Sequence, residues 1–127
     1  MITKKSKNDV ATTLDRLEGV LKEKGIGIIA RVDHTAAAKK VDMELRPTQV
    51  LFFGNPKLGT PLMQINQTAG LDLPMRVLAW EDESGQTWLG YNAPQDIAEL
   101  HNVTDSPEAI NMLSTAIENF TEHAIGS

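Results

Sequence analysis

The chain has no cysteine, which excludes disulfides, thiol nucleophiles, iron–sulfur clusters and cysteine-ligated zinc together. Positive charge is also short: 12 Lys and Arg stand against 17 Asp and Glu, a net charge of −5. Neutralising phosphates takes clustered cations, and the densest cluster, Lys4, Lys5 and Lys7, is too small, so no nucleic-acid partner is expected. Long apolar runs are missing as well. None approaches the roughly 20 residues that a membrane-crossing helix needs, and no apolar segment follows the N-terminal lysines as in a signal peptide. The expectation is a soluble, cytoplasmic protein without membrane contact; a mature periplasmic form that has shed its leader would read the same.

What is present describes an ordinary globular domain. At 127 residues, 41% hydrophobic and 23% charged, the chain suits one domain that buries roughly two-thirds of its unfolded surface. Val10, Leu14, Leu17 and Leu21 recur at helical spacing behind a capping Asn8, and Gly25 ends the run. Next, Ile26, Ile28, Ala30 and Val32 alternate with Gly27, Ile29, Arg31 and Asp33, predicting a strand with one wholly apolar face. A short helical turn over 35–40 precedes a strand over 48–53. Thr60 and Pro61 read as cap and first residue of a short helix that Gly70 stops. Two strands, 75–81 and 86–91, flank the turn-rich Asp82-Glu83-Ser84-Gly85 and should pair antiparallel. Pro94 opens another short helix. Ser106-Pro107-Glu108 then supplies a cap, a first-turn proline and a first-turn acid for a last helix, with Ala109, Met112, Leu113, Ala116, Ile117, Phe120 and Ala124 as its apolar stripe. With a weak first strand over 2–5, the order is strand, helix, four strands with short inserted helices, and helix. The expected class is α+β: a single domain over 1–127, with a mostly antiparallel sheet and its long helices on one face.

The motifs Arg31-Val-Asp-His34, Arg46-Pro-Thr48, Phe53-Gly-Asn-Pro-Lys57, Gly59-Thr-Pro-Leu-Met63 and Leu71-Asp-Leu-Pro74, continued by Trp80-Glu-Asp82 and Tyr91-Asn-Ala-Pro94, resemble the domain-of-unknown-function 302 family. The resemblance runs from about Thr3 to His101. It implies a two-layer fold similar to the TATA-binding-protein-like arrangement. It implies no activity, so no role passes from the family to any residue.

The richest local chemistry lies between Arg46 and Pro74, where the apolar run Val50-Leu51-Phe52-Phe53 empties into a loop of glycines, prolines and Asn55. Gly54 and Gly59 have the spacing of a phosphate-binding loop, but Thr60-Pro61 stand where Lys-Ser would be required. A turn shaped by Gly and Pro is the plainer reading. Asp33 and His34 are the nearest approach to an acid–base pair, yet adjacent strand residues point to opposite faces, and Asp33 or Thr35 suits a helix cap. The histidines, His34, His101 and His123, lack short ligand spacing, so no metal is expected, and no cofactor is implied. Trp80, Trp88 and Tyr91 could line a groove, though aromatics more often fill cores and interfaces. Met43, Met63, Met75 and Met112 read as adaptable packing.

The leading expectation is a non-enzymatic homodimeric module that binds a small molecule or anion through Arg46, Asn55, Lys57, Thr60 and Tyr91. The first alternative is an enzyme using His34 as general base on a small anionic substrate, oriented by Asp33 or Asp72. The second is a purely structural or protein-interaction domain. The binding readings assume that the 54–61 bend converges in space with residues 31–34.

Overall fold

A computed structural model describes residues 1–103, 105 and 107–126. Strand β1 (Ile2–Ser6) leads into α1 (Val10–Glu23), β2 (Gly27–Asp33), α2 (His34–Lys39) and β3 (Thr48–Gly54). Then follow α3 (Pro56–Ile65), a 3-10 turn (Gln67–Leu71), the hairpin β4 (Met75–Glu81) and β5 (Thr87–Tyr91), α4 (Pro94–Leu100) and α5 (Pro107–Ala124). The five strands form one antiparallel sheet in the order β1-β5-β4-β3-β2. This is the expected α+β order, with α2, α3 and α4 as the short inserted helices.

The long helices α1 and α5 cover one face. Leu14, Leu17 and Leu21 of α1 are fully buried together with Leu51, Val77 and Leu89 of the central strands, which joins the helical and the alternating apolar patterns into one core. Leu113, Ile117 and Phe120 of α5 complete it. The opposite face carries Phe52, Leu78, Trp80 and Trp88, all half-buried. The two indoles stack there with centroids 6.5 Å apart.

Several local expectations shift. Asp9, not Asn8, caps α1 by accepting the Thr12 N–H; Asn8 instead reaches the Ala124 carbonyl. Gly25 does end the helix region, at φ +70, a conformation that glycine adopts without steric cost. Ser106 lies outside the described residues. Met112 and Met43 are 59% and 65% exposed, so neither is packing material, while Met75 is buried.

Strand β2 departs furthest from its pattern. A bulge between Ile28 and Ala30 inserts one residue and reverses the facing of everything after it. Ile28 therefore faces the helices, whereas Ala30 and Val32 pair with Phe52 and Val50 on the other face. Arg31 is turned toward α1. Its guanidinium donates to Asp15 and Glu18, each at 2.6 Å, and to the Ala11 carbonyl at 3.1 Å. Burial opposes its charge, but the bonds and charges of the two carboxylates outweigh burial and raise its pKa above the ordinary arginine value.

The β4–β5 turn is tied by one carboxylate. Asp82 accepts from the Trp88 indole, the Ser84 hydroxyl and the Ser84 and Gln86 amides. The Trp88 and Ser84 side-chain bonds lead in holding its pKa down to about 2. Because the folded value lies below the unfolded one of about 3.9, this stabilisation is complete above that pH and is lost as pH falls toward about 2. Asp82→Asn is expected to show a shallower loss of stability over this acid window than the native chain, measured by urea unfolding at closely spaced pH values. Identical acid limbs would remove Asp82 as a contributor.

Candidate functional site

The end of β3 and the start of β2 lie side by side, with Gly54 opposite Gly27. Asn55 then starts α3, its side chain accepting the Lys57 N–H at 3.0 Å. The helix thus begins at Pro56 rather than Pro61, because Asn55-Pro56 is already a cap followed by a first-turn proline. Pro61 falls inside the helix, where its missing N–H leaves the carbonyl four residues back without a helical donor. Thr60 is consequently no cap. It lines a cleft of about 470 Å³ between β2, β3, α3 and the Leu73-Pro74 segment. Ile29, Asn55, Met63, Leu73 and Met75 are its other chief walls. Gly54 sits tightly on one side, since a Cβ there would come within 3.2 Å of Pro74 Cβ and the proline would have to give way.

The residues singled out from sequence do not gather at this cleft as a set. Asn55 and Thr60 line it. Lys57 is exposed on α3 and is not part of the lining. Arg46 lies by the other end of the sheet, its Nε 3.3 Å from the Glu81 carbonyl, in a shallow depression with Thr35, Lys39 and Met43. Tyr91 is 4% exposed, on the helix side of β5 with the Lys4 ammonium 5.9 Å from its ring centre.

The supposed acid–base pair is dispersed too. Asp33 caps α2 by accepting the Ala36 N–H, and His34 is the exposed first residue of that helix. The register sets Asp33 opposite Gln49 and Gly27 opposite Gly54, so residues 31–34 and the 54–61 bend occupy opposite ends of the strand pair. At about 3.3 Å per residue, six residues of strand separate them by roughly 20 Å. The assumed convergence is absent.

Asp72 has a different histidine. His101 Nε2 lies 2.5 Å from Asp72 Oδ2, and Arg76 Nη2 lies 3.0 Å from Asp72 Oδ1. The other ring nitrogen of His101, Nδ1, is 3.0 Å from the Thr68 hydroxyl. Asn66 braces both partners: its Nδ2 donates to the His101 carbonyl at 2.6 Å, and its Oδ1 accepts from Thr68 N and Oγ1. His101 is 7% exposed and Thr68 is exposed. A carboxylate, an imidazole and an accessible hydroxyl thus stand in line, a chain that sequence reading missed. Its only local signals were the Asn66 and Thr68 turn residues and an acid before Leu73-Pro74; the histidine arrives from 29 positions away.

The family described as "Domain of unknown function DUF302" matches residues 2–120. The chain belongs to this family. A DUF302 crystal structure, "uncharacterized conserved protein DUF302 from Bacillus stearothermophilus", superposes with a TM-score of 0.75 over 98% of this chain and 94% of the other, at 21% identity. At that identity the likeness shows the shared fold alone. Among curated relatives, "Fluoride-specific ion channel FluC 1" of Brucella suis biovar 1 (strain 1330) is 42% identical over 127 residues, 99% of this chain and 50% of that protein. "Fluoride-specific ion channel FluC 2" of Brucella melitensis biotype 1 is 42% identical over 99% of this chain and 47% of its own length. The chain therefore spans about half the length of the curated relatives it matches. Among its own described residues, no helix is long and apolar enough to cross a membrane.

Proposed function

We propose that this DUF302 domain binds a small, uncharged, largely apolar molecule in the cleft between β2, β3 and α3. The observation that carries the reading is the lining itself: Ile29, Met63, Leu73 and Met75 with Asn55 and Thr60 as polar contacts, and no titratable side chain. Such a mostly apolar concavity with a few polar groups is the usual form of a small-molecule site. An anion finds no cation there, so the anionic ligand gives way to a neutral one. The two methionines can adjust to the outline of a guest.

Gly59 offers a direct test. It lies in α3 and lines the cleft, and an added Cβ would meet Leu73 Cδ1 at 3.7 Å, an ordinary contact. Gly59→Ala is expected to stabilise the fold by about 0.5–1 kcal/mol through helix propensity. Gly59→Leu fills the cleft and is expected to weaken binding of the neutral fluorophore N-phenylnaphthylamine about tenfold, the value of roughly 1.4 kcal/mol of lost apolar contact. Fluorescence titration reads this. No enhancement with the native chain, or equal affinity in Gly59→Leu, would retire the cleft as a site.

Homodimerisation belongs to the same proposal, with the Trp80–Trp88 face of the sheet as the surface that a second copy would cover; light scattering showing a monomer at every concentration would count against it. A second reading concerns partners. The curated Brucella relatives, about half of whose length the chain matches, are named as fluoride channels, and no described helix here can span a membrane, so any share in fluoride transport would be exercised in association with a channel-forming segment. Co-purification with a fluoride channel from detergent extracts tests that association, and a clean separation of the two would end it.

A further inference from the structure

The Thr68–His101–Asp72 chain lies outside the cleft lining, and it has the order of groups that activates an alcohol: hydroxyl, imidazole, carboxylate. We propose that this domain cleaves carboxylic esters with Thr68 as the nucleophile. Asp72 faces Nε2 of His101 at 2.5 Å, so in the neutral ring the proton is held on Nε2 and the lone pair of Nδ1 faces the Thr68 oxygen, 3.0 Å away. The hydroxyl proton, given to Asn66 Oδ1 at 2.8 Å in the resting arrangement, has to rotate to Nδ1 before it can be transferred. Arg76 and the Asn66–His101 carbonyl bond keep the carboxylate and the histidine in place. His101 is nearly buried, while Thr68 opens onto a shallow groove with Gln64, Asn66 and Gln67. That groove shares Thr60 and Met63 with the apolar cleft. The assignment of an apolar acyl group to the substrate rests on the cleft reading above; the nucleophile itself does not.

The steps balance without a cofactor. Thr68 Oγ1 attacks the acyl carbon as its proton passes to His101 Nδ1, with the ionised Asp72 facing the resulting imidazolium. The acyl carbon–oxygen bond breaks, and the alcohol departs with the proton from Nδ1. Water then attacks the acyl-threonine and gives a proton to Nδ1. The carboxylic acid leaves as that proton returns to the Thr68 oxygen.

The whole chain is tested with p-nitrophenyl butyrate, using Thr68→Val, which keeps the branched shape without the hydroxyl, and Thr68→Ser, which keeps the hydroxyl. The native chain is expected to turn over the ester above buffer, Thr68→Val to lose at least about 100-fold in kcat/KM, and Thr68→Ser to retain turnover. An organophosphate ester should leave its adduct on the peptide carrying Thr68. Turnover no faster than buffer, equal rates in Thr68→Val, or an adduct only elsewhere would overturn the proposal. Its failure is separable from failure of the cleft, because Thr68→Val should bind N-phenylnaphthylamine as the native chain does. Conversely, loss of probe binding in Gly59→Leu with unchanged cleavage of p-nitrophenyl acetate would keep the nucleophile, and unchanged butyrate turnover in that variant would place the acyl group outside the cleft.

Discussion

Replacing His101 with alanine is expected to lower the stability of the fold by about 3 kcal/mol, since removing one member of a buried hydrogen-bonded pair strands the other. The side chains of His101 and Asp72 are 8% and 17% exposed. Alanine would remove both ring hydrogen bonds, to Asp72 and Thr68, and leave a void where the imidazole sat. Arg76 would still hold one carboxylate oxygen, which limits the loss. Asp72→Asn should cost less, because the amide oxygen can still accept from Nε2 and the volume is unchanged. For a chain of this size, each kcal/mol corresponds to about 3–5 °C in Tm, so His101→Ala is expected to melt roughly 10 °C or more below the native protein. Urea unfolding gives the free energies directly. A loss in His101→Ala under about 1 kcal/mol, or an equal loss in Thr68→Val, would show that the pair is not a staple between the 66–74 segment and the end of α4.

The same pair shows where sequence reading stops. Helix α1, helix α5 and the β4–β5 hairpin were legible because their signals are local: leucines at helical spacing, an apolar stripe, alternation around a turn-rich tetrapeptide. The facing of β2 was not, because its bulge arises from pairing with β3 and leaves the residue alternation intact up to Val32. The start of α3 was misplaced because Asn55-Pro56 and Thr60-Pro61 satisfy the same local rule, and only the path from β3 chooses between them. At the candidate site, Asn55 and Thr60 were found because the 54–61 loop is one continuous piece of unusual backbone. His34 was paired with Asp72 on chemistry alone, whereas strand register sends His34 to the far end of the sheet and brings up His101 instead. Register is a property of two strands together, and neither residue carries it.

Leu51 should be the most costly of the apolar positions to truncate, with Leu51→Ala expected to lose about 2–5 kcal/mol. It is fully buried in β3, paired with Arg31 on one side and Val77 on the other. Both neighbouring strands are hydrogen-bonded to it, so the backbone around the deleted side chain can collapse little, and poor collapse is what drives such losses toward their upper end. Small domains have a total stability of about 5–15 kcal/mol, so this single change would consume a large part of it. The useful contrast is Met112→Ala, at a position inside the periodic stripe of α5 that the structure leaves 59% exposed. That change is expected to stay within about 0.5 kcal/mol of native, although the sequence pattern alone ranks Met112 with the core. Equal losses at the two positions would mean that α5 presents its Met112 face to a partner in solution; a small loss at Leu51 would mean that the sheet can close over the missing side chain and that the centre of the core lies elsewhere.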